Sequence, residues 1–358
     1  MAGDSRIIMH LERDPAPLLS HHLERIERCR RRLVSRLCNA PSGPALGEYL
    51  GRGKMLRAAL VFLSCGAVGG DPEGAWMAAE AIEMLHGASL FHDDLIDEAN
   101  ERRGLPALHR RVGQSAALVL GDYLLVRAFD TLSEAHGRYP TDRVLDAVRT
   151  LSYLAQECCR GQLEELELSD QPVSEETYFS IIRGKTAAPF MAASVLGALL
   201  GGGTAEEIEQ LRRYGLSLGI AFQIYDDLLD VAGDEGALGK PVGNSLAHGR
   251  PMLPLIYLRQ VRASEAGLRQ IQRSGGSIAH IKGLLETHGV LDRVRATQET
   301  FIDAAIAAVA GLAPSTDVEI LRALPGQATA WWAPPSGPST TSLARDVAAP
   351  RPARGLGG

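Results

Sequence analysis

Six aspartates stand out in a chain of 358 residues. Asp93, Asp94 and Asp97 fall in HDDLID, and Asp226, Asp227 and Asp230 repeat the Asp-Asp-x-x-Asp spacing in FQIYDDLLD. On a helix, the first and last aspartates of each set lie four residues apart and share a face. Like charges at that spacing repel, so each set costs stability unless a cation sits against it. Mg²⁺ suits the pattern, because it takes one or two carboxylates and fills its remaining positions with water and substrate phosphates. The competing reading is an acidic, solvated helix end near a helix start, where carboxylates offset the dipole. Apolar flanks speak against it: Ala88, Leu90 and Phe91 precede the first set, and Ile220, Ala221 and Phe222 the second. Two such sets facing each other would hold a magnesium-bound diphosphate between them.

Basic residues supply the other half. Arg102 and Arg103 follow the first set, Lys185 lies in RGKTAAPF, and Lys240 lies in GALGKPVG. Lys54 and Arg57 lie in GRGKMLRAAL, and their spacing predicts that they share one helical face. Any one of these reads as an ordinary surface charge. Together with the aspartates they imply two anionic groups, one held through metal and one held directly by Lys and Arg hydrogen bonds.

Helices must position these groups. Apolar residues recur at three- and four-residue spacing over 15–38, 44–69, 74–98, 113–137, 141–168, 174–200, 204–233 and 251–263. Further helices are expected at 276–288, 290–311 and 315–324, and no segment alternates as a strand would. The breaks carry turn chemistry, as in Pro41-Ser42-Gly43 and Gly69-Gly70-Asp71-Pro72. The fold class is therefore all-α, one domain over residues 1–332. From about Ala333 proline, glycine and serine dominate, and residues 333–358 read as a disordered tail.

Composition narrows the class further. A net charge of −6, with no basic block beyond Arg30–Arg32, speaks against a nucleic-acid partner. Five scattered cysteines without CxxC spacing point to reduced thiols in a cytoplasmic protein. The longest uncharged stretch, Thr186 to Ala205, is interrupted by Pro189 and Gly201–Gly203, so it reads as a packed internal helix and not as a membrane span.

GKMLR, EMLHGASL, HDDLID, ERRG, LVLGDYLL, RGKTA, FQIYDDLLD and GKPVG follow one another in chain order, within a likeness that runs over roughly residues 20–325. This ordered set resembles the trans-isoprenyl diphosphate synthase (polyprenyl synthetase) family. The resemblance implies an isoprenoid-synthase-type helical bundle around a deep central cavity, working as a homodimer. It implies head-to-tail condensation of isopentenyl diphosphate with an allylic diphosphate, giving a trans-polyprenyl diphosphate. The six aspartates would then hold about three Mg²⁺ ions on the allylic diphosphate. Arg102, Lys185, Gln223 and Lys240 would touch that diphosphate, while Lys54, Arg57, His86 and Arg103 would bind isopentenyl diphosphate. Thr186 and Gln162 would line the reacting centre.

Product length would be set below the first aspartate. Bulky aromatics at the positions of Ala88 and Ser89 block the tail in short-chain members of this family, so these small residues, with Leu85 and Met84 beneath them, imply twenty carbons or more. The pattern also has departures. Met55 stands where arginine is common, Ser245 where aspartate is usual, and Glu165 where many members have aspartate. Gly249-Arg250-Pro251-Met252 replaces a Gly-Lys-x-Thr run, so Arg250 keeps a substrate-facing charge while Met252 loses a hydroxyl. Two rivals share the fold: a terpene cyclase, which needs no isopentenyl site, and a non-catalytic subunit, expected to lose metal ligands. Intact Lys54, Arg57, His86 and Arg103 argue against the first, and six intact aspartates against the second.

Overall fold

The central element explains the uncharged stretch. α9 (Ala188–Leu200) reads APFMAASVLGALL, and all its 13 residues are buried. A helix that is apolar on every side belongs in the middle of a bundle, where neighbours cover it all round. The computed structural model describes residues 16–168, 172–232, 249–261 and 278–326. Lys240, Ser245 and the tail from 333 lie outside these residues. Among the described residues no helix is long and apolar enough to cross a membrane.

The preceding helices run α1 (Ala16–Leu37), α2 (Gly43–Gly51), α3 (Leu56–Ala67), α4 (Trp76–Ile96), α5 (Leu108–Val112), α6 (Gln114–Ser133), α7 (Thr141–Glu167) and α8 (Glu175–Ile182). After α9 come α10 (Ala205–Ala232), α11 (Leu253–Gln260), α12 (Ile278–Thr287), α13 (Val290–Ala308) and α14 (Thr316–Ala323). α3, α7 and α10 pack against α9, α4 pairs most extensively with α6, and α13 backs α10. Capping fits the composition. Ser174 accepts the Thr177 amide at the start of α8, and Ser315 accepts that of Val318 at the start of α14.

Four local features differ from the periodicity. Residues 44–69 form two helices, because Gly51 and Gly53 loosen the chain and Met55 turns left-handed at φ 55°. Lys54 therefore precedes α3 and does not share a helical face with Arg57. Residues 174–200 are broken by a π turn over Arg183–Ala187. The expectation of no strand fails at a two-residue ladder, β1 (Glu101–Arg102) paired antiparallel with β2 (Leu105–Pro106). Its turn, Arg103-Gly104, has φ 55° and 70°, positive at both residues as a tight hairpin requires. The fourth is α5, too short for a periodicity signal.

Candidate active site

Both aspartate sets lie far from the starts of their helices, towards the C-terminal side. α4 ends at Ile96 with Asp97 as its cap, and Asp226, Asp227 and Asp230 occupy the last described turns of α10. This is the wrong end for carboxylates, since the unpaired carbonyls there already carry negative partial charge. An acidic helix start is thereby excluded, and each end demands compensation from elsewhere.

At α4 the compensation is cationic. Arg102 donates to Asp94 Oδ1 through Nε at 2.8 Å and Nη2 at 2.5 Å, and Nη2 lies 3.5 Å from Asp93. Lys185 sits between Asp93 Oδ1 at 3.1 Å and Glu165 Oε2 at 2.5 Å. Arg250 pairs with Asp97 across 153 residues of sequence. Burial works against the Asp93 charge, but Lys185, Arg250 and Arg102 outweigh it and hold its carboxyl below the ordinary value. At Asp94 burial wins over Arg102, and the carboxyl is pushed up.

At α10 the hydrogen-bond donors to Asp227 are neutral. Its Oδ2 accepts the Tyr178 hydroxyl at 2.8 Å and the Leu253 amide at 2.9 Å, and its Oδ1 accepts Gln223 Nε2 at 2.9 Å. Gln223 in turn accepts the Thr186 hydroxyl at 2.8 Å, so Gln223 and Thr186 meet as the resemblance implies. Burial pushes Asp227 up to about 7 despite these donors. Asp230 is buried and Asp226 half-buried.

The π turn aims Lys185 and Thr186. A π bulge adds one residue to a helical turn and redirects the side chains around it. Gly161 of α7 and Gly184 permit the close approach: a Cβ at Gly161 would lie 2.7 Å from the Lys185 amide nitrogen, and one at Gly184 2.7 Å from the Glu157 carbonyl. Gln162 consequently faces the same place, 3.4 Å from Glu165, the residue that holds Lys185. Glu165 thus brings a carboxylate to Lys185 on a longer arm than an aspartate would have.

A second group gathers around His86. Burial, then Arg57, Arg103 and Arg102, hold its imidazole well below the ordinary value, so it is neutral at pH 7. Arg57 rests 4.8 Å over the Phe190 ring, its Nε buried without a hydrogen-bond partner, and burial lowers its guanidinium to about 10. Arg103 donates to the Tyr49 carbonyl at 3.0 Å. Lys54 is exposed and borders a groove of about 360 Å³ with Leu23, Ile26 and Arg30. Arg30 braces that loop by donating to the Gly51 and Gly53 carbonyls at 2.6 and 2.5 Å. Met55, in place of an arginine, is 1% exposed and is part of the core.

Two contributors were missed by sequence reasoning. Glu83, buried in α4 one turn before His86, accepts the Ala58 amide at 3.0 Å and so caps α3, whose Met55 offers no side-chain cap. Tyr178 is the other. A buried acid in the apolar run of α4 was the available signal for Glu83; nothing local marks Tyr178. The floor residues Met84, Leu85 and Ala88 are buried, Thr131 of α6 reaches Met84 Sδ at 3.8 Å, and half-buried Ser89 donates to the His86 carbonyl at 2.8 Å.

The donor set fits a hard cation. Asp94 Oδ2 is buried without a hydrogen-bond partner, and the other candidates are carboxylate oxygens. Among the described residues no three His, Cys, Asp or Glu side chains converge on a ready-made metal site. Mg²⁺ relies on substrate phosphates to complete its shell.

Comparison with known proteins agrees. The family model for polyprenyl synthetase matches residues 44–287. A short chain isoprenyl diphosphate synthase of Methanothermobacter thermautotrophicus is 38% identical over 261 residues, covering 69% of this chain and 79% of that protein. The octaprenyl diphosphate synthase of Escherichia coli is 34% identical over 272 residues, 74% of this chain and 82% of the relative. Among solved structures, a polyprenyl synthase of Caulobacter crescentus, complexed with calcium and isoprenyl diphosphate, superposes with a TM-score of 0.77. It is 30% identical and covers 86% of this chain and 95% of its own. With its helices, its paired acidic ends and its family match in agreement, the chain belongs to the polyprenyl synthetase family of prenyl-lengthening enzymes.

Proposed function

We propose that the chain joins isopentenyl diphosphate head-to-tail to an allylic diphosphate, with a product of twenty carbons or more. The observation that carries the reading is the pair of acidic helix C-termini set among Arg102, Lys185, Arg250 and the His86 group. Asp93, Asp97, Asp226 and Asp230, with Asp94 and Asp227 behind them, would hold Mg²⁺ on the allylic diphosphate. Bound there, the metal would stabilise negative charge on the leaving group. Arg102, Lys185 and Arg250 exchange part of their carboxylate pairing for diphosphate oxygens and add their own charge to that stabilisation. Lys240 and Gln223 are proposed at the same group.

The second diphosphate falls to Arg57, Arg103, Lys54 and neutral His86, which donates one hydrogen bond without adding a charge. Breaking the allylic C–O bond leaves a carbocation that the isopentenyl double bond attacks; a proton then departs, with the released diphosphate as its acceptor. Apolar walls from α9 and α4 exclude water that would quench the cation. Thr186 and Gln162, beside Lys185, orient the reacting ends. Ala88 and Ser89 present little bulk to the growing tail, and Met84 with Leu85 form the level below.

A homodimer is part of the proposal. α6 exposes Leu118, Val119 and Val126, and the neighbouring α7 exposes Leu145, Tyr153, Leu163 and Leu166, an apolar surface of the kind that a second copy covers. All five cysteines are free, which supports a cytoplasmic setting.

The test is direct. Purified protein is incubated with Mg²⁺, isopentenyl diphosphate and allylic primers of five, ten, fifteen and twenty carbons, and the dephosphorylated products are sized by mass spectrometry. A ladder ending at twenty carbons or beyond is expected. Cyclic hydrocarbon without isopentenyl consumption would replace the reading with a cyclase.

A further inference from the structure

Three elements meet on one carboxylate. Tyr178 of α8, Gln223 of α10 and the first amide of α11 all donate to Asp227. The α11 contact has a clear physical cause. Its N-cap, Met252, offers no side-chain acceptor, so the early amides of that helix need one from elsewhere. A carboxylate at a helix N-terminus satisfies an amide and faces the positive end of the dipole. Asp227 is therefore the cap of α11, supplied from another helix.

That cap reaches across the site. Leu253 lies three residues after Arg250, and Arg250 pairs with Asp97 at the end of α4. One continuous set of contacts thus runs from Tyr178 through Asp227 and the Leu253 amide to Arg250 and the opposite acidic end. Of the side chains in it, fully buried Tyr178 alone has no part in the reaction assigned above.

We propose that Tyr178 is a positioning residue: its hydroxyl fixes the Asp227 carboxylate as the cap of α11 and thereby registers Arg250 on Asp97. What this closure serves rests on the function proposed above; the tether itself does not. Tyr178 touches neither substrate, and it acts through Asp227.

Tyr178→Phe removes one hydroxyl and keeps the ring that fills the core. The Leu253 amide should then exchange with solvent about tenfold faster, the scale of one hydrogen bond to a charged group. KM for the allylic diphosphate should rise by a similar factor, while KM for isopentenyl diphosphate stays put. Tyr257→Phe is the matched control. Its hydroxyl, on α11 and in the same apolar cluster, bonds Glu175 at 2.8 Å and Thr297 at 3.0 Å and not Asp227. It should move neither readout. Unchanged Leu253 exchange in Tyr178→Phe would overturn the proposal, and so would a rise in both KM values together. A wild-type protein that forms no prenyl product would sink the functional reading instead, with the amide exchange still deciding the tether.

Discussion

The two acidic helix ends carry the same Asp-Asp-x-x-Asp spacing, yet the structure satisfies their middle aspartates differently. At the end of α4, three long cationic side chains reach in from the β1–β2 hairpin, the π turn and the segment before α11. At the end of α10, Asp227 is bound by a phenol, an amide side chain and a backbone N–H. Cationic arms can redistribute their hydrogen bonds between a carboxylate and an incoming diphosphate. Neutral donors built into three helices cannot leave without opening the fold. The first end is poised to exchange partners on binding; at the second, the middle aspartate is a fixed part of the framework.

Single substitutions test the contrast, the largest effect coming from the aspartates at the cluster tips. Asp93→Ala or Asp226→Ala should lower turnover by about a thousandfold, the upper scale for losing one electrostatic stabiliser of the transition state. Circular dichroism should remain that of a folded helical protein. A variant with wild-type turnover would remove its cluster from the site.

Arg102→Met comes next. It leaves Asp94, 1% exposed, without its cation. Breaking a buried pair this way should cost about 3 kcal/mol in urea unfolding. Adding Asp94→Asn should recover much of the loss, because no uncompensated charge is then buried. A double variant as unstable as the single one would show that Arg102 acts through packing.

Asp93 and Asp227 should also respond to pH with opposite sign. Asp93 is held below its ordinary value, so its contribution is present above that value and is lost as the solution becomes more acidic. Asp227 is pushed up to about 7, so the fold takes up a proton that the unfolded chain does not, and this contribution fades as pH rises from about 4 through 7. In metal-free buffer, Asp227→Asn should flatten the decline in stability towards pH 7, measured by urea unfolding. A slope identical to wild type would show that its three donors keep Asp227 ionised.

A smaller effect sharpens the view of the His86 group. Glu83→Gln keeps an oxygen to accept the Ala58 amide, while Glu83→Ala leaves α3 uncapped. The alanine variant should lose about 1 kcal/mol, the usual value of an N-cap, and the glutamine variant much less. Equal losses in urea unfolding would assign Glu83 a role through its charge.

Much of this was legible in the sequence. The helices, the two aspartate sets and the order of the basic motifs follow from periodicity and spacing, which are local properties. What escaped is long-range or depends on backbone strain. Tyr178 and Asp227 are 49 residues apart, and Arg250 and Asp97 are 153 apart, with no pattern in either neighbourhood that pairs them. The left-handed Met55 lies inside an apolar run that reads as helix, so the spacing puts Lys54 and Arg57 on one face that the structure does not form. The π turn is invisible for the same reason: an extra residue in a turn leaves the apolar pattern of 174–200 intact. Glu83 and Glu80, both buried in the apolar run of α4, were the readable hints that this helix serves more than packing.

The central claim is that these carboxylates hold a cation only jointly with a diphosphate. Calorimetric titration of Mg²⁺ into the protein, with and without an unreactive allylic thiolodiphosphate, tests it most directly. Weak uptake is expected for the protein alone and tight, saturable uptake once the analogue is present, lost in Asp93→Ala and in Asp226→Ala. Equally tight uptake without the analogue, or none with it, would contradict it.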